Sequence, residues 1–370
     1  MTFIIVLTDD CNLKCSYCFE HNKQATYMKS KDIPVIISFM KKYLNEDFLF
    51  NNKEITISFN GGEAMMNFSV LKELYFELKN NFNNITYYTI STNLTLLDDE
   101  KLEFLYQNKI VPHISIDGVK KIHNLYRIYR SGKGTFDDIY ANILKIRNKY
   151  PEWNCSYTMT FTPQTVNKLF EGFMMLRNLG ITRIGVAPVL DLEWEEKDYK
   201  ILKRELKKIK DEIIKSYNEN KKIYFKMLHE AINNSIKGIT DCGICNDLIV
   251  ILPTGEILPC PSFIGLSDYK EFVVGNINGF LNYDLITKLI KKENLDLEEC
   301  KECVLLSRCQ NKCPAINYRV HKDINIIPAN YCRVNQICLL EADTIVDHLC
   351  NTKNKIFFEE YPMLKEIIKN

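Results

Sequence analysis

The sequence lacks any apolar run long enough to cross a membrane and any excess of charge of one sign. No segment approaches the roughly eighteen consecutive apolar residues that a membrane-spanning helix needs. The first apolar run, residues 3–7, follows no basic residue and is too short for a secretory signal peptide. The 48 Lys and Arg residues almost balance the 47 Asp and Glu residues, so no overall field favours nucleic acid or an anionic membrane. We therefore expect a cytoplasmic protein with a small-molecule or peptide partner.

Cysteine, in contrast, is abundant, with fourteen residues in 370. In a reducing compartment these thiols indicate metal ligands rather than disulfides. The first three, Cys11, Cys15 and Cys18, form a Cys-x3-Cys-x2-Cys array. Thiolates are soft ligands suited to iron–sulfur clusters, and three of them leave one iron of a four-iron cluster open to another molecule. The alternatives are a zinc loop or unpaired core cysteines, but structural zinc usually takes four protein ligands and the next thiol is Cys155.

Short β-branched or aromatic runs alternate with longer stretches of helical spacing. Six strands are predicted, at residues 3–7, 55–59, 86–91, 113–116, 156–161 and 183–187. Such alternation indicates a parallel sheet with helical crossovers. Six units are two fewer than a closed eight-fold barrel has, so the predicted fold class is α/β, a partial (β/α)6 barrel of the TIM type. Chemistry in such folds gathers at the carboxyl ends of the strands.

Four further motifs follow directly from predicted strands and are expected to meet the three-thiol loop at one mouth. They are Gly61-Gly62-Glu63, Ser91-Thr92-Asn93, Ser115-Ile116-Asp117 and the segment 186–190. Each pattern alone also fits an ordinary turn, a capped loop or a core position. Their joint occurrence in this order is what favours a site.

Together, the three-thiol array with Tyr17 before its last thiol, Gly61-Gly62-Glu63 and Ser115-Ile116-Asp117-Gly118 resemble the radical S-adenosylmethionine (SAM) superfamily. The resemblance covers most of the first two hundred residues. It implies that the open iron binds the amino and carboxylate groups of SAM. It also implies that one electron splits the sulfonium to a 5′-deoxyadenosyl radical, which removes a hydrogen atom from a substrate.

The resemblance also implies a set of SAM contacts. The two glycines would let the backbone approach SAM, Glu63 would pair with its ammonium, and Arg127 with its carboxylate. Serine and aspartate after the fourth strand would bind ribose hydroxyls, and an aromatic and an aliphatic side chain would border the adenine. The full predicted set is Tyr17, Gly61, Gly62, Glu63, Ser91, Asn93, Ser115, Asp117, Arg127 and Leu190.

Cysteines crowd the sequence again from residue 240. Cys242 and Cys245 precede a predicted hairpin with its turn at Pro253-Thr254-Gly255, Cys260 follows the hairpin, and a further block runs to residue 332. This spacing resembles the SPASM domain, which carries auxiliary four-iron clusters. A zinc ribbon would explain only Cys300 and Cys303.

Carried over from that resemblance, one auxiliary cluster would use Cys242, Cys245, Cys260 and Cys313, and the other Cys300, Cys303, Cys309 and Cys332. Cys242 is the least secure ligand, and without it the first auxiliary cluster would have an iron open to substrate sulfur. Cys155 and Cys338 fit core positions. The predicted domains are a radical SAM barrel at 1–235, a SPASM domain at 236–350 and a helical tail at 351–370.

SPASM proteins mostly modify ribosomally made peptides or protein side chains. We predict a dehydrogenative cross-link, a thioether first of all, in a small precursor peptide. Oxidation of a Cys or Ser to formylglycine is the second reading, because Pro261 stands where sulfatase-maturing relatives have an aspartate taken as the substrate base. The third interpretation is an electron carrier without radical chemistry, which would need no SAM site and is therefore disfavoured by the SAM motifs.

The expected cofactors are three [4Fe-4S] clusters and SAM, reduced by a low-potential donor of flavodoxin or ferredoxin type. Because the thiol array starts at residue 11, we expect the peptide to be presented by a separate leader-binding protein, or by strand addition at the basic, aromatic segment 120–130 and the sheet edges. That one short patch in a neutral protein does not indicate nucleic-acid binding.

Overall fold

The computed structural model describes residues 1–20, 24–46, 54–237, 242–291, 298–309 and 313–364. Contacts divide the chain into two compact units that interleave along the sequence. The first unit comprises Met1–Ser115, His123–Ser156 and Cys242–Glu293, and the second comprises Ile116–Ile122, Tyr157–Asp241 and Asn294–Asn370. The predicted domain boundaries remain a prediction, and residues 365–370 of the predicted tail lie outside the described residues.

The strands of the described chain, in order, are β1 (Thr2–Val6), β2 (Ile55–Asn60), β3 (Ile85–Thr92), β4 (Ile110–Ser115), β5 (Ser156–Phe161), β6 (Arg183–Pro188), β7 (Tyr224–Phe225), β8 (Leu248–Ile251), β9 (Glu256–Leu258) and β10 (Gly275–Asn276). The α-helices are α1 (Ile33–Glu46), α2 (Phe68–Asn81), α3 (Asp99–Gln107), α4 (Lys120–Tyr126), α5 (Phe136–Lys149), α6 (Leu169–Asn178), α7 (Glu196–Asn218), α8 (Lys226–Lys237), α9 (Tyr283–Lys291), α10 (Glu298–Lys301), α11 (Pro314–His321), α12 (Ala329–Asn351) and α13 (Lys355–Glu360).

The first unit is built on seven strands in the order β10-β9-β8-β1-β2-β3-β4. Strands β1 to β4 and β8 run parallel, and β8, β9 and β10 pair antiparallel. Along β2 the burial alternates, so that Ile55, Ile57 and Phe59 are fully buried, as the two-residue period of a strand requires. Helices cover these apolar side chains, with Ile36 of α1 and Leu74 of α2 fully buried.

The second unit contains β5 from Tyr157 onward, with β5, β6 and β7 parallel. Helix α7 carries a fully buried stripe at Leu202, Leu206, Ile209 and Ile213 and packs against α6 and α12. This stripe repeats every three to four residues, which places it on one face of the helix. The apolar face of α7 is therefore a core face of this unit.

All six predicted strands are present, and so is the hairpin with its turn at residues 253–255. The strand that the hairpin pairs with was not predicted. Strand β8 of the hairpin lies parallel to β1, with Phe3 opposite Ile249. Cys155 and Cys338 are buried, as expected for core positions. No helix in the described part of the chain is long and apolar enough to span a membrane.

Candidate functional site

The three-thiol loop begins where β1 ends. Cys11 is buried, and Cys15 and Cys18 are half-buried. The backbone N–H of Cys18 donates to the carbonyl of Cys15 at 3.1 Å, and the N–H of Leu13 donates to Cys11 Sγ at 3.4 Å. No disulfide joins any of the cysteines in the described residues.

Asp10, which belongs to none of the sequence motifs above, fixes the start of this loop. Its carboxylate accepts from the N–H of Cys11 at 2.8 Å and from the Tyr27 hydroxyl at 2.6 Å, and it forms an ion pair with Arg130. Burial alone would raise the pKa of Asp10, but the Tyr27 and Arg130 hydrogen bonds outweigh it and lower the pKa. The feature of the sequence that could have indicated this role is the position of Asp10 directly before the first thiol.

Gly62 lets the loop after β2 lie against the end of β1. Its N–H donates to the carbonyl of Thr8 at 2.9 Å, and the N–H of Glu63 donates to the carbonyl of Asp10 at 2.8 Å. A Cβ added at Gly62 would stand 2.3 Å from the Asp10 carbonyl oxygen. The position that a Cβ of residue 62 would occupy is thus taken by the backbone of Asp10, the residue before Cys11.

Glu63 joins the ends of β2 and β3. Its side chain accepts from the Thr92 hydroxyl at 2.8 Å, from the N–H of Asn93 at 2.7 Å and from the N–H of Met65 at 3.1 Å. The residue is 1% exposed, and these three donors balance the burial of a charged group. Its predicted pairing with the SAM ammonium stays a prediction.

Asn93 connects the end of β3 to the three-thiol loop. Its Nδ2 donates to Asn12 Oδ1 at 3.0 Å and lies 3.8 Å from Cys11 Sγ, a weak donor contact. Its Oδ1 accepts from the N–H and hydroxyl of Thr95. The predicted meeting of motifs at the carboxyl ends of strands is therefore confirmed for β1, β2 and β3.

The segment after α4 packs along the same loop. The Arg127 guanidinium lies 5.5 Å from the centre of the Tyr17 ring, Arg127 is 9% exposed, and the rings of Tyr17 and Tyr126 are 5.3 Å apart. The N–H of Lys14 donates to the carbonyl of Ile128 at 2.8 Å. The basic, aromatic segment is therefore partly used to hold the loop.

The remaining predicted SAM contacts divide between the two units. Ser91 and Ser115 lie near the carboxyl ends of β3 and β4 in the first unit. Asp117 and Leu190 belong to the second unit, where Asp117 accepts from the N–H of Thr160 at 2.8 Å. That bond is the capped-turn role which the sequence also allowed for this aspartate. Ribose and adenine contacts for these residues stay predictions.

Two groups of cysteines come together outside the three-thiol loop. In the first unit, burial and the neighbouring Cys260 and Cys242 raise the pKa of Cys245 to about 12. The segment after Cys260 also approaches the loop, because a Cβ at Gly265 would lie 2.2 Å from the Phe19 carbonyl oxygen. Cys313, the fourth predicted ligand of this cluster, caps α11 in the second unit.

The second group lies wholly within the second unit. Burial raises the pKa of Cys332, and the neighbouring thiols of Cys309, Cys300 and Cys303 raise it further. These are the four ligands predicted for the second auxiliary cluster. Cys332 on α12 is thus close enough to these three thiols for their charge to act on it; that the four bind one cluster stays a prediction.

The comparisons with known proteins decide the family. The family model described as "Radical SAM superfamily" matches residues 5–191, which is half of the chain. The chain belongs to the radical SAM superfamily. It is 26% identical over 334 residues to a cysteine-type anaerobic sulfatase-maturating enzyme of Clostridium novyi, with 83% of this chain and 85% of that protein covered.

Solved structures show the same radical SAM fold. A structure titled "Native anSMEcpe with bound AdoMet and Cp18Cys peptide" superposes with a TM-score of 0.79 at 21% identity, covering 95% of this chain and 99% of that one. Streptococcus suis SuiB bound to precursor peptide SuiA superposes with a TM-score of 0.64 at 18% identity, covering 90% and 75%. The predicted fold class is thereby confirmed.

Membership of the radical SAM superfamily implies a [4Fe-4S] cluster and SAM. Among the described residues, no group of three or more His, Cys, Asp or Glu side chains is placed to hold one metal ion. A four-iron cluster needs a different arrangement of ligands from a single ion. Each thiolate binds a different iron, so the ligand sulfurs lie farther apart than they do around one ion. The donor chemistry of Cys11, Cys15 and Cys18 fits such a cluster.

Proposed function

We propose that the protein is a radical SAM maturase that removes hydrogen from a ribosomally made peptide and installs a dehydrogenative cross-link, a thioether in the first instance. The curated relative from Clostridium novyi is named a sulfatase-maturating enzyme, and two similar structures are titled as complexes with peptides. A near-neutral chain with a formal net charge of +1 suits such a substrate better than a polyanion.

Three [4Fe-4S] clusters are part of this proposal. Cys11, Cys15 and Cys18 would hold the SAM-binding cluster, and the two groups of C-terminal cysteines would hold the auxiliary ones. When bound, the cluster and SAM supply a carbon-centred radical able to abstract a hydrogen atom. The residues that gather at the loop would bind and orient SAM, with Arg127 as the fixed cation for its carboxylate.

The observation that favours cross-linking over formylglycine formation is the turn after Cys260. Pro261 starts a short 3-10 helix there, and proline offers no carboxylate to take a proton from a substrate. The nearby Glu256 carboxylate accepts from the hydroxyls of Thr254 and Tyr269 at 2.9 and 3.1 Å. Glu256 is therefore already hydrogen-bonded to its own turn and to Tyr269.

The partners are a small precursor peptide and a low-potential flavodoxin or ferredoxin. Arg130 is bound to Asp10 and Arg127 lies over Tyr17, so much of the cationic segment is committed to the three-thiol loop. This favours a separate leader-binding protein over strand addition at that segment as the means of presenting the peptide.

The test is anaerobic co-expression of the enzyme with a small Cys-containing peptide encoded beside its gene, followed by intact mass and tandem fragmentation. We expect the loss of two hydrogens per event, with fragmentation blocked between a Cys and its partner residue. Unmodified peptide from a fully reconstituted enzyme that cleaves SAM contradicts the proposal.

Formylglycine formation is the second candidate, supported by the match over more than four-fifths of both this chain and the Clostridium novyi enzyme. An aldehyde-reactive product at a single Cys or Ser in the same experiment would establish it. A protein that only carries electrons would yield no 5′-deoxyadenosine from SAM under reducing conditions, which separates that third reading from both.

A further inference from the structure

Two side-chain amides of α12 point at sulfur atoms of the second auxiliary group. Asn335 Nδ2 donates to Cys309 Sγ at 3.3 Å, and Gln336 Nε2 donates to Cys332 Sγ at 3.5 Å. Both distances are within the range for a hydrogen bond to sulfur. Asn335 and Gln336 are half-buried, so water competes only in part for these sulfurs.

The geometry around Cys309 is held by an ion pair. Arg308, its neighbour in sequence, binds Asp343 of α12 through both terminal nitrogens, at 2.6 and 3.0 Å, and donates to Ser235 at 2.9 Å. Such a two-pronged contact fixes orientation as well as distance. The loop that carries Cys309 is therefore fastened to the helix that carries Cys332 and both amides.

Hydrogen bonds to ligand sulfurs are among the factors that set the potential of an iron–sulfur cluster. An added electron increases the negative charge on the thiolates, so an N–H donor stabilises the reduced form more than the oxidised form. With four thiols gathered, a cluster here would also have no iron left for substrate. These features suit electron transfer.

We infer that Asn335 and Gln336, through their hydrogen bonds to sulfur, raise the reduction potential of a four-iron cluster held by Cys300, Cys303, Cys309 and Cys332. The inference depends on the proposed function only for the presence of that cluster. The couple takes up one electron and forms or breaks no bond. Each amide is expected to favour reduction about tenfold, which for one electron corresponds to about 59 mV.

The experiment measures midpoint potentials of the reconstituted protein by EPR-monitored redox titration, with neither SAM nor peptide present. The variants are Asn335→Leu and Gln336→Met, which keep side-chain size and remove the donor, singly and together. The matched control is Asn351→Leu, since Asn351 is an exposed amide at the end of the same helix. Cys300→Ala, which removes one ligand atom, identifies which signal belongs to this cluster.

We expect each single variant to lower the midpoint potential of this cluster by about 59 mV, which is a tenfold change in the equilibrium constant for reduction. The double variant should change that constant about a hundredfold, and the iron content should stay the same. An unmoved midpoint in the double variant overturns the inference. Loss of one cluster's iron in both single variants also overturns it, because the amides would then hold the thiols in place rather than adjust the couple. If Cys300→Ala changes no signal, the proposed cluster assignment is wrong. Unmodified peptide together with shifted midpoints would count against the proposed reaction alone.

Discussion

Replacing Gly62 by alanine should cost the protein its first cluster. The added Cβ would meet the Asp10 carbonyl oxygen at 2.3 Å, and real Cβ atoms essentially never stand closer than 3.0 Å. Backbone must therefore move by at least 0.7 Å. The oxygen cannot simply retreat, because it accepts the N–H of Glu63 at 2.8 Å.

The size of the effect follows from these contacts. Forcing an extra carbon into a filled space costs about 2 kcal/mol, and losing the Glu63 hydrogen bond adds about 1 kcal/mol. The shift falls on the residue directly before Cys11, so the strain is placed on the ligand set. We expect the chain to stay folded while the three-thiol loop loses its metal geometry.

The assay is the iron content of anaerobically reconstituted protein, together with the change in its EPR spectrum on adding SAM. Gly62→Ala should contain one cluster less than the wild type and show no response to SAM. Gly279→Ala is the control: an added Cβ there would meet only Lys42 Nζ, at 3.6 Å, and because Gly279, unlike Gly62, has a positive φ of 102°, this variant carries backbone strain without a backbone clash. Wild-type iron and a normal SAM response in Gly62→Ala would refute the reasoning.

Three further predictions concern single contacts. Arg127→Lys should weaken SAM binding about tenfold in equilibrium dialysis, because lysine loses the planar fork that binds a carboxylate at two points. Burial lowers the pKa of His229, so the unfolded chain binds a proton below pH ~6.5 that the folded chain does not, and stability should fall by about 1.4 kcal/mol per pH unit below that point. Lys210 and Glu341 form an ion pair at 3.4 Å with both side chains 9% exposed, and Lys210 keeps only the exposed Asp211, at 3.5 Å, when Glu341 is lost, so Glu341→Gln should destabilise by about 2 kcal/mol, whereas Lys210→Met with Glu341→Leu should be nearly neutral.

Each of these has a direct control. Arg147→Lys alters an arginine on α5 that donates to the Pro151 carbonyl and should leave SAM affinity unchanged; equal losses in both variants would deny Arg127 a specific role. His229→Gln should remove the slope in a pH series of denaturant titrations, and an unchanged slope would point to another group. A double variant at Lys210 and Glu341 as unstable as the single one would show that packing, not the unpaired charge, sets the cost.

The strands and the thiol loops could be predicted because their signals are local. The alternating β-branched and aromatic residues from Ile55 to Phe59 fit a pleated, half-buried strand, and cysteine spacing is visible in the sequence itself. The same reasoning found Glu63 and Asn93, although it assigned them only to SAM. It could not foresee that their hydrogen bonds would be directed to Thr92 and to Asn12, because that depends on which strands become neighbours.

The sequence by itself thus determined the element order, the candidate ligands and the family. Tertiary structure alone decided that β8 pairs with β1, that Asp10 receives Arg130 from 120 residues away, and that the α12 amides reach two cysteine sulfurs. The physical reason is that a hydrogen-bonding group is satisfied by whatever partner the folded chain brings within about 3 Å. No spacing in the linear sequence records that choice.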